Sequence, residues 1–131
     1  MKDRAVFNQI PNWGEKKSGK IAHEYVKMDG YTFDSQAEVD RYIELKLMQQ
    51  KGIISELECQ PKYELIPYQR VSGRQGFRKH GYTADFRYKD ENGNEIVEDV
   101  KSVRTREERD YIINRKLMYF LHGIYVREVI R

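Results

Sequence analysis

The sequence predicts a mixed α/β fold, and three observations carry that expectation. Two segments repeat apolar residues at helical spacing, and each is stopped by a glycine, Gly52 or Gly123. Several short segments of strand character are separated by turn residues. Strand and helix segments interleave along the chain in the order hairpin, helix, strand, strand, strand, helix, strand, which points to a layered sheet with flanking helices.

Residues 1–20 are polar, and "GEKKSGK" within them suggests a mobile basic arm ahead of a single domain over residues 21–131. Ile21 to Met28 and Tyr31 to Phe33 form a short hairpin, since Asp29-Gly30 accepts the positive φ of a tight turn. A helix opens at Ser35 and runs to about Gln50, with Val39, Tyr42, Ile43 and Leu47 on its apolar side. Residues 54–68 are extended, and Pro61 argues for an edge position or a bulge. Residues 69–81, with two internal glycines, read as a loop. Strands follow over 82–90 and 95–101, and a second helix runs from Thr105 to about His122. Ile113, Leu117, Phe120 and Leu121 are its expected stripe. The segment "IYVREVI" closes the domain as a strand.

Composition narrows the function classes. The 131 residues are 39% hydrophobic and 34% charged, an ordinary polar domain with one modest core. No apolar run is long enough to span a bilayer, so no membrane partner is expected. The opening residues lack the apolar stretch of a secretory signal, and the lone Cys59 cannot form an internal disulfide. Both set the expectation of a cytoplasmic protein. His23, His80 and His122 are scattered without zinc-ligand spacing. A net charge of +3 is too small to indicate nucleic-acid binding by itself.

The chemistry concentrates in "YTADFRYKDENGNEIVEDVK". Alternation places Asp99 and Lys101 on one strand face and Glu98 on the other. Whether Asp85 meets Asp99 depends on the turn. A two-residue Asn92-Gly93 loop pairs 85 with 100 and separates the two acids. A three-residue loop, Glu91-Asn92-Gly93 with Gly93 left-handed, pairs 85 with 99, and we expect this one. Opposed carboxylates repel, so a compensating divalent cation with hard-oxygen preference is the natural companion. Two acids and a lysine around such an ion suit phosphodiester hydrolysis. Surface acids paired with Lys101 would give the same pattern without function. On the first helix, Ser35-x-x-Glu38 is a capping-box pattern, and so is Thr105-x-x-Glu108 on the second. Taken alone, Glu38 reads as a cap.

Together, Glu38, Asp85 in "YTADF" and Asp99-Val100-Lys101 resemble the PD-(D/E)XK nuclease superfamily. The words "FDS", "QPKYEL", "YTADF" and "VEDVK" in that order are closest to a small phage-associated branch, similar to transposase endonuclease subunits and Holliday-junction resolvases. Ala84 stands where the pattern has proline. The resemblance implies a restriction-endonuclease-like αβββαβ core with a mixed central sheet, preceded by the short hairpin, and a bound Mg²⁺ or Mn²⁺. It implies Asp85 and Asp99 as principal metal ligands, helped by the Val100 carbonyl, with Glu38 joining the shell directly or through water. Lys101 would act on the nucleophilic water. Gln60 would reach the edge of the site, or would simply be a polar residue on an edge strand.

Two basic stretches flank these acids in sequence. Arg70, Arg74, Arg78, Lys79 and His80 precede the strand bearing Asp85, and Arg104 and Arg106 follow Lys101. Arginines hold phosphates and neighbouring aromatics stack on bases, so DNA is the expected partner. The expected activity is that of a metal-dependent DNA endonuclease acting on branched or structured DNA in phage recombination or replication, in the bacterial host cytoplasm. A homodimer or a recombination or replication protein is a further expected partner. The alternative is a non-catalytic DNA-binding or assembly protein that keeps the nuclease fold.

Overall fold

The computed structural model describes residues 24–131, which divide after Val39 into two compact units. The predicted arm over 1–20, residues 21–23 of the first predicted strand and His23 lie outside the described residues.

In the first unit, strands β1 (Val26–Met28) and β2 (Tyr31–Phe33) pair antiparallel, with Met28 opposite Tyr31. The turn between them takes φ of 52° at Asp29 and 84° at Gly30, as the Asp-Gly pair predicts. Helix α1 (Gln36–Gln50) begins here and continues into the second unit. Its buried positions are Val39, Tyr42 and Leu45, whereas the predicted inward residues Ile43 and Leu47 are exposed. The buried stripe is rotated from the expected one. The helix ends where Gly52, at φ 79°, lets Gly52 and Ile53 donate back to Gln49 and Met48.

The second unit is built on a four-stranded mixed sheet in the order β10-β9-β8-β3. It consists of β3 (Ser55–Cys59), β8 (Phe86–Lys89), β9 (Glu95–Lys101) and β10 (Arg127–Ile130). Only the β10–β9 pair is parallel. Helix α1 covers one face, where the Tyr42 ring stacks on Phe86 at 6.4 Å. Helix α2 (Arg109–His122) covers the other. There Tyr111 and Met118 pack with Leu65, Tyr82, Ala84, Val97 and Val126, and the Leu, Met and Val side chains each contribute roughly 1.5–3 kcal/mol by leaving water. The predicted α2 stripe is not the buried one: Ile113 is 47% and Phe120 81% exposed. The predicted capping box is also absent. Thr105 exchanges hydrogen bonds with Ser102 and begins a short 3-10 turn (Thr105–Glu107), and α2 starts after it with no side-chain cap.

Two predicted strands break at matching points. Residues 54–68 divide into β3 and β4 (Lys62–Ile66), and residues 82–90 into β7 (His80–Thr83) and β8. The central sheet takes β3 and β8, while β4 and β7 pair with each other. Gln60, at φ 57°, and Pro61 bend one chain opposite Ala84 and Asp85 on the other. The bonds Gln60 N to Asp85 O (2.8 Å) and Ala84 N to Pro61 O (3.0 Å) hold the chains together through the bend. The register runs through Pro61 unbroken, from Cys59 opposite Phe86 to Lys62 opposite Thr83, so Pro61 follows the edge strand β3 and marks no bulge. The predicted loop over 69–81 is corrected as well. It contains a hairpin of β5 (Gln69–Val71) and β6 (Arg74–Phe77), and its last residues begin β7.

Candidate functional site

The β8–β9 turn decides which acids meet. Lys89 pairs with Glu95, and Asp90 N donates to Asn94 O at 2.9 Å. Asp90 Oδ1 accepts the amides of Asn92 and Asn94, and the Asn94 amide leads in holding its carboxyl below the usual carboxylate range. Gly93 takes φ of 82°. This is the three-residue loop. Counted outward through Phe86 opposite Glu98, it sets Asp85 opposite Asp99.

Both carboxylates are held from several sides. Asp85 lies at the bend just before β8, and its Oδ2 accepts the Val100 amide at 2.7 Å. Asp99 is 3% exposed and accepts a hydrogen bond from the buried Tyr82 hydroxyl. Lys101 Nζ stands 3.8 Å from Asp99 Oδ2 and 4.4 Å from the centre of the Tyr111 ring. Burial raises the Asp99 carboxyl above its ordinary value; hydrogen bonding with the Asp85 side chain and amide, the Lys101 charge and the Tyr82 hydroxyl pull it part of the way back. Burial, then the adjacent Asp99, pushes the Tyr82 hydroxyl far up, so it stays protonated as a donor.

The neighbouring strand adds a carboxylate that the sequence reading did not single out. Glu128 on β10 is in register with Asp99. Arg106 binds it at 3.0 Å and Arg115 at 3.5 Å, so Arg106, expected to grip DNA, is already engaged with a carboxylate. Tyr111, Glu128 and the bond of Tyr82 to Asp99 were missed because strand parity counts along one chain. The bend at residues 84–85 and the parallel register of β10 are not visible in that count.

The other site candidates fall in distinct places. Glu38 belongs to the first unit, where its amide donates to Ser35 Oγ and its Oε1 accepts the Asp34 amide, each at 3.2 Å. That is the capping function. Gln60 is brought to Asp85 through its backbone amide. His80 Nε2 is 2.8 Å from Asn114 Oδ1. Arg70, Arg74, Arg78, Lys79 and Arg104 are exposed. Glu98 points to the opposite face, as its parity predicts. It is fully buried there, bound by two Arg41 nitrogens at 2.9 and 2.7 Å and by the Tyr88 hydroxyl.

The donor set at Asp85 and Asp99 consists of hard oxygens, which suit Mg²⁺ or Mn²⁺, and a cation there would offset the burial of adjacent carboxyls. Among the described residues, no three His, Cys, Asp or Glu side chains gather closely enough to hold a metal by themselves. No helix among them is long and apolar enough to cross a membrane.

The family described as "Protein of unknown function (DUF1064)" matches residues 18–127, and the chain belongs to it. No curated protein and no solved structure matches the chain.

Proposed function

We propose that this family member is a metal-dependent DNA endonuclease that hydrolyses phosphodiester bonds in branched or structured DNA. The observation that carries the reading is the facing of Asp85 and Asp99 across β8 and β9, with the Lys101 ammonium 3.8 Å from Asp99. A binding module gains nothing by setting two carboxylates side by side where a phosphate would approach. On this reading α1, β3, β8, β9, α2 and β10 form a restriction-endonuclease-like αβββαβ core. Phage recombination or replication in a bacterial cytoplasm is the setting it fits, and a second copy or a partner protein would supply a second cut.

Asp85 and Asp99 would hold Mg²⁺ or Mn²⁺, with the Val100 carbonyl and water completing the shell. Such an ion polarises a phosphoryl oxygen and lowers the pKa of its water. The chain's own part is positional. The Val100 amide and the Tyr82 hydroxyl each fix one carboxylate oxygen. Lys101, steadied over the Tyr111 ring, orients the attacking water and offsets charge that builds on the phosphate.

Calorimetric titration with Mn²⁺, followed by cleavage of branched and linear DNA, tests this. Wild type binds the ion, and Asp85→Ala and Asp99→Ala each abolish binding. Lys101→Ala retains binding but cuts about 100-fold more slowly. Absence of Mn²⁺ binding even with DNA present, or cleavage that survives Asp99→Ala, overturns the proposal.

A further inference from the structure

The hairpin β5–β6 projects beyond the β4–β7 ladder as a two-stranded ribbon turned at Ser72-Gly73, with Gly73 at φ 70°. Residues 69–79 carry four cations, Arg70, Arg74, Arg78 and Lys79, and no acid. All four are exposed, and none makes an ion pair among the described residues. Elsewhere in this unit Arg41, Arg87, Arg106, Arg115 and Arg131 all bind carboxylates. Arg104 and Arg109 are also exposed without an ion pair among the described residues, but the ribbon gathers four such cations within eleven residues.

Its shape adds a second constraint. Val71 pairs with Arg74, which puts Arg74 on the face of Val71, while alternation along β5 puts Arg70 on the other face. Cations therefore leave both faces. The ribbon is braced at its base: a Cβ at Gly76 would collide with the Gln69 carbonyl and the Tyr68 ring, so that ring lies directly on the strand. Strands about 4.8 Å apart, with side chains, match a major groove about 12 Å wide. Three or four residues per strand reach roughly 10–13 Å, enough for a groove about 8.5 Å deep.

We infer that the β5–β6 ribbon enters the major groove of duplex DNA tip first, with Arg70 and Arg74 meeting opposite walls. This deepens the nuclease reading by naming B-form duplex as the substrate element gripped. It stands on the ribbon and not on the acids. From His80 at the ribbon's base to Asp85 the strand covers about 16 Å, less than one duplex turn of about 34 Å, so one arm of DNA spans both. RNA duplexes exclude such a ribbon because their A-form major groove is deep and narrow. Charge alone would not discriminate.

Fluorescence anisotropy with one sequence as DNA duplex, RNA duplex and single-stranded DNA, in Ca²⁺ to hold cleavage off, tests the inference. The DNA duplex binds about tenfold or more tighter than either of the others. Arg70→Ala with Arg74→Ala removes that preference, lowers the slope of log affinity against log salt by about 2, and leaves the melting temperature unchanged. Lysines at both positions restore the slope. Equal affinity for RNA duplex, tighter binding of single strands, or an arginine-to-alanine pair that binds as wild type overturns it. The two proposals fail separately. No Mn²⁺ binding with duplex preference intact sinks the nuclease and spares the ribbon, and the reverse pattern does the opposite.

Discussion

Glu98 carries its carboxylate to a position with no solvent exposure, and Arg41 meets it with two nitrogens. The Glu98 bond raises the Arg41 guanidinium further above its already high value, so this cation is permanent. Removing one partner strands a buried charge, which is far costlier than losing a surface pair. Arg41→Met is expected to lower unfolding free energy by about 3–5 kcal/mol in urea titration, and adding Glu98→Leu recovers part of that loss. A double variant no more stable than the single one would count against this account. Side by side on β9, Glu98 and Asp99 serve opposite faces: one locks the sheet to α1, the other faces Asp85. Their separation was legible from alternation alone. The identity of Glu98's partner, 57 residues away, was not.

At the scale of the element, turn chemistry was the most readable feature. Gly123 ends α2 at φ 69°, with Gly123 and Ile124 donating back to Tyr119 and Met118. An L-residue there meets its own Cβ, so Gly123→Ala is expected to cost about 1 kcal/mol in thermal unfolding without altering the fold. No loss of stability would show that this turn relaxes freely. The helix faces were less readable. The stretch "YIINRKLMYFLH" carries apolar residues nearly all round, so several overlapping arcs satisfy a 3.6-residue period. Which arc is buried depends on the sheet below. The ribbon was hidden for a related reason: "QRV" and "RQGF" are too short and polar to show alternation, and backbone pairing alone makes them strands.

At the scale of the molecule, one carboxylate joins α1 to the far edge of the sheet. Glu44 accepts two bonds from Arg131, at 2.9 and 2.7 Å, and one from Arg41 at 2.9 Å. Arg131, then Arg41, lowers its carboxyl from 4.5 to about 2. The native state therefore holds the charged form more strongly than the unfolded chain does. The resulting stability is present above pH 4.5 and is lost as pH falls towards about 2. Because the side chain is 44% exposed, solvent screening keeps the effect below about 1 kcal/mol. Glu44→Gln should be slightly less stable than wild type at neutral pH, and the two should converge in acid. A difference that stays constant across that range would assign the loss to packing.

What the sequence determined by itself was local. Asp29-Gly30, Gly52, Gly93 and Gly123 each took the positive φ that their turns demand. These outcomes depend on sterics within a few residues, which neighbouring letters encode fully. The tertiary structure decided what depends on distant partners. It bent both strands at Gln60-Pro61 and Ala84-Asp85, chose the buried arcs of the helices, and brought Tyr82 and Lys101 to Asp99. Burial and strand pairing between remote segments carry most of the folding energy, and a linear pattern records only that a residue can be buried, not against what.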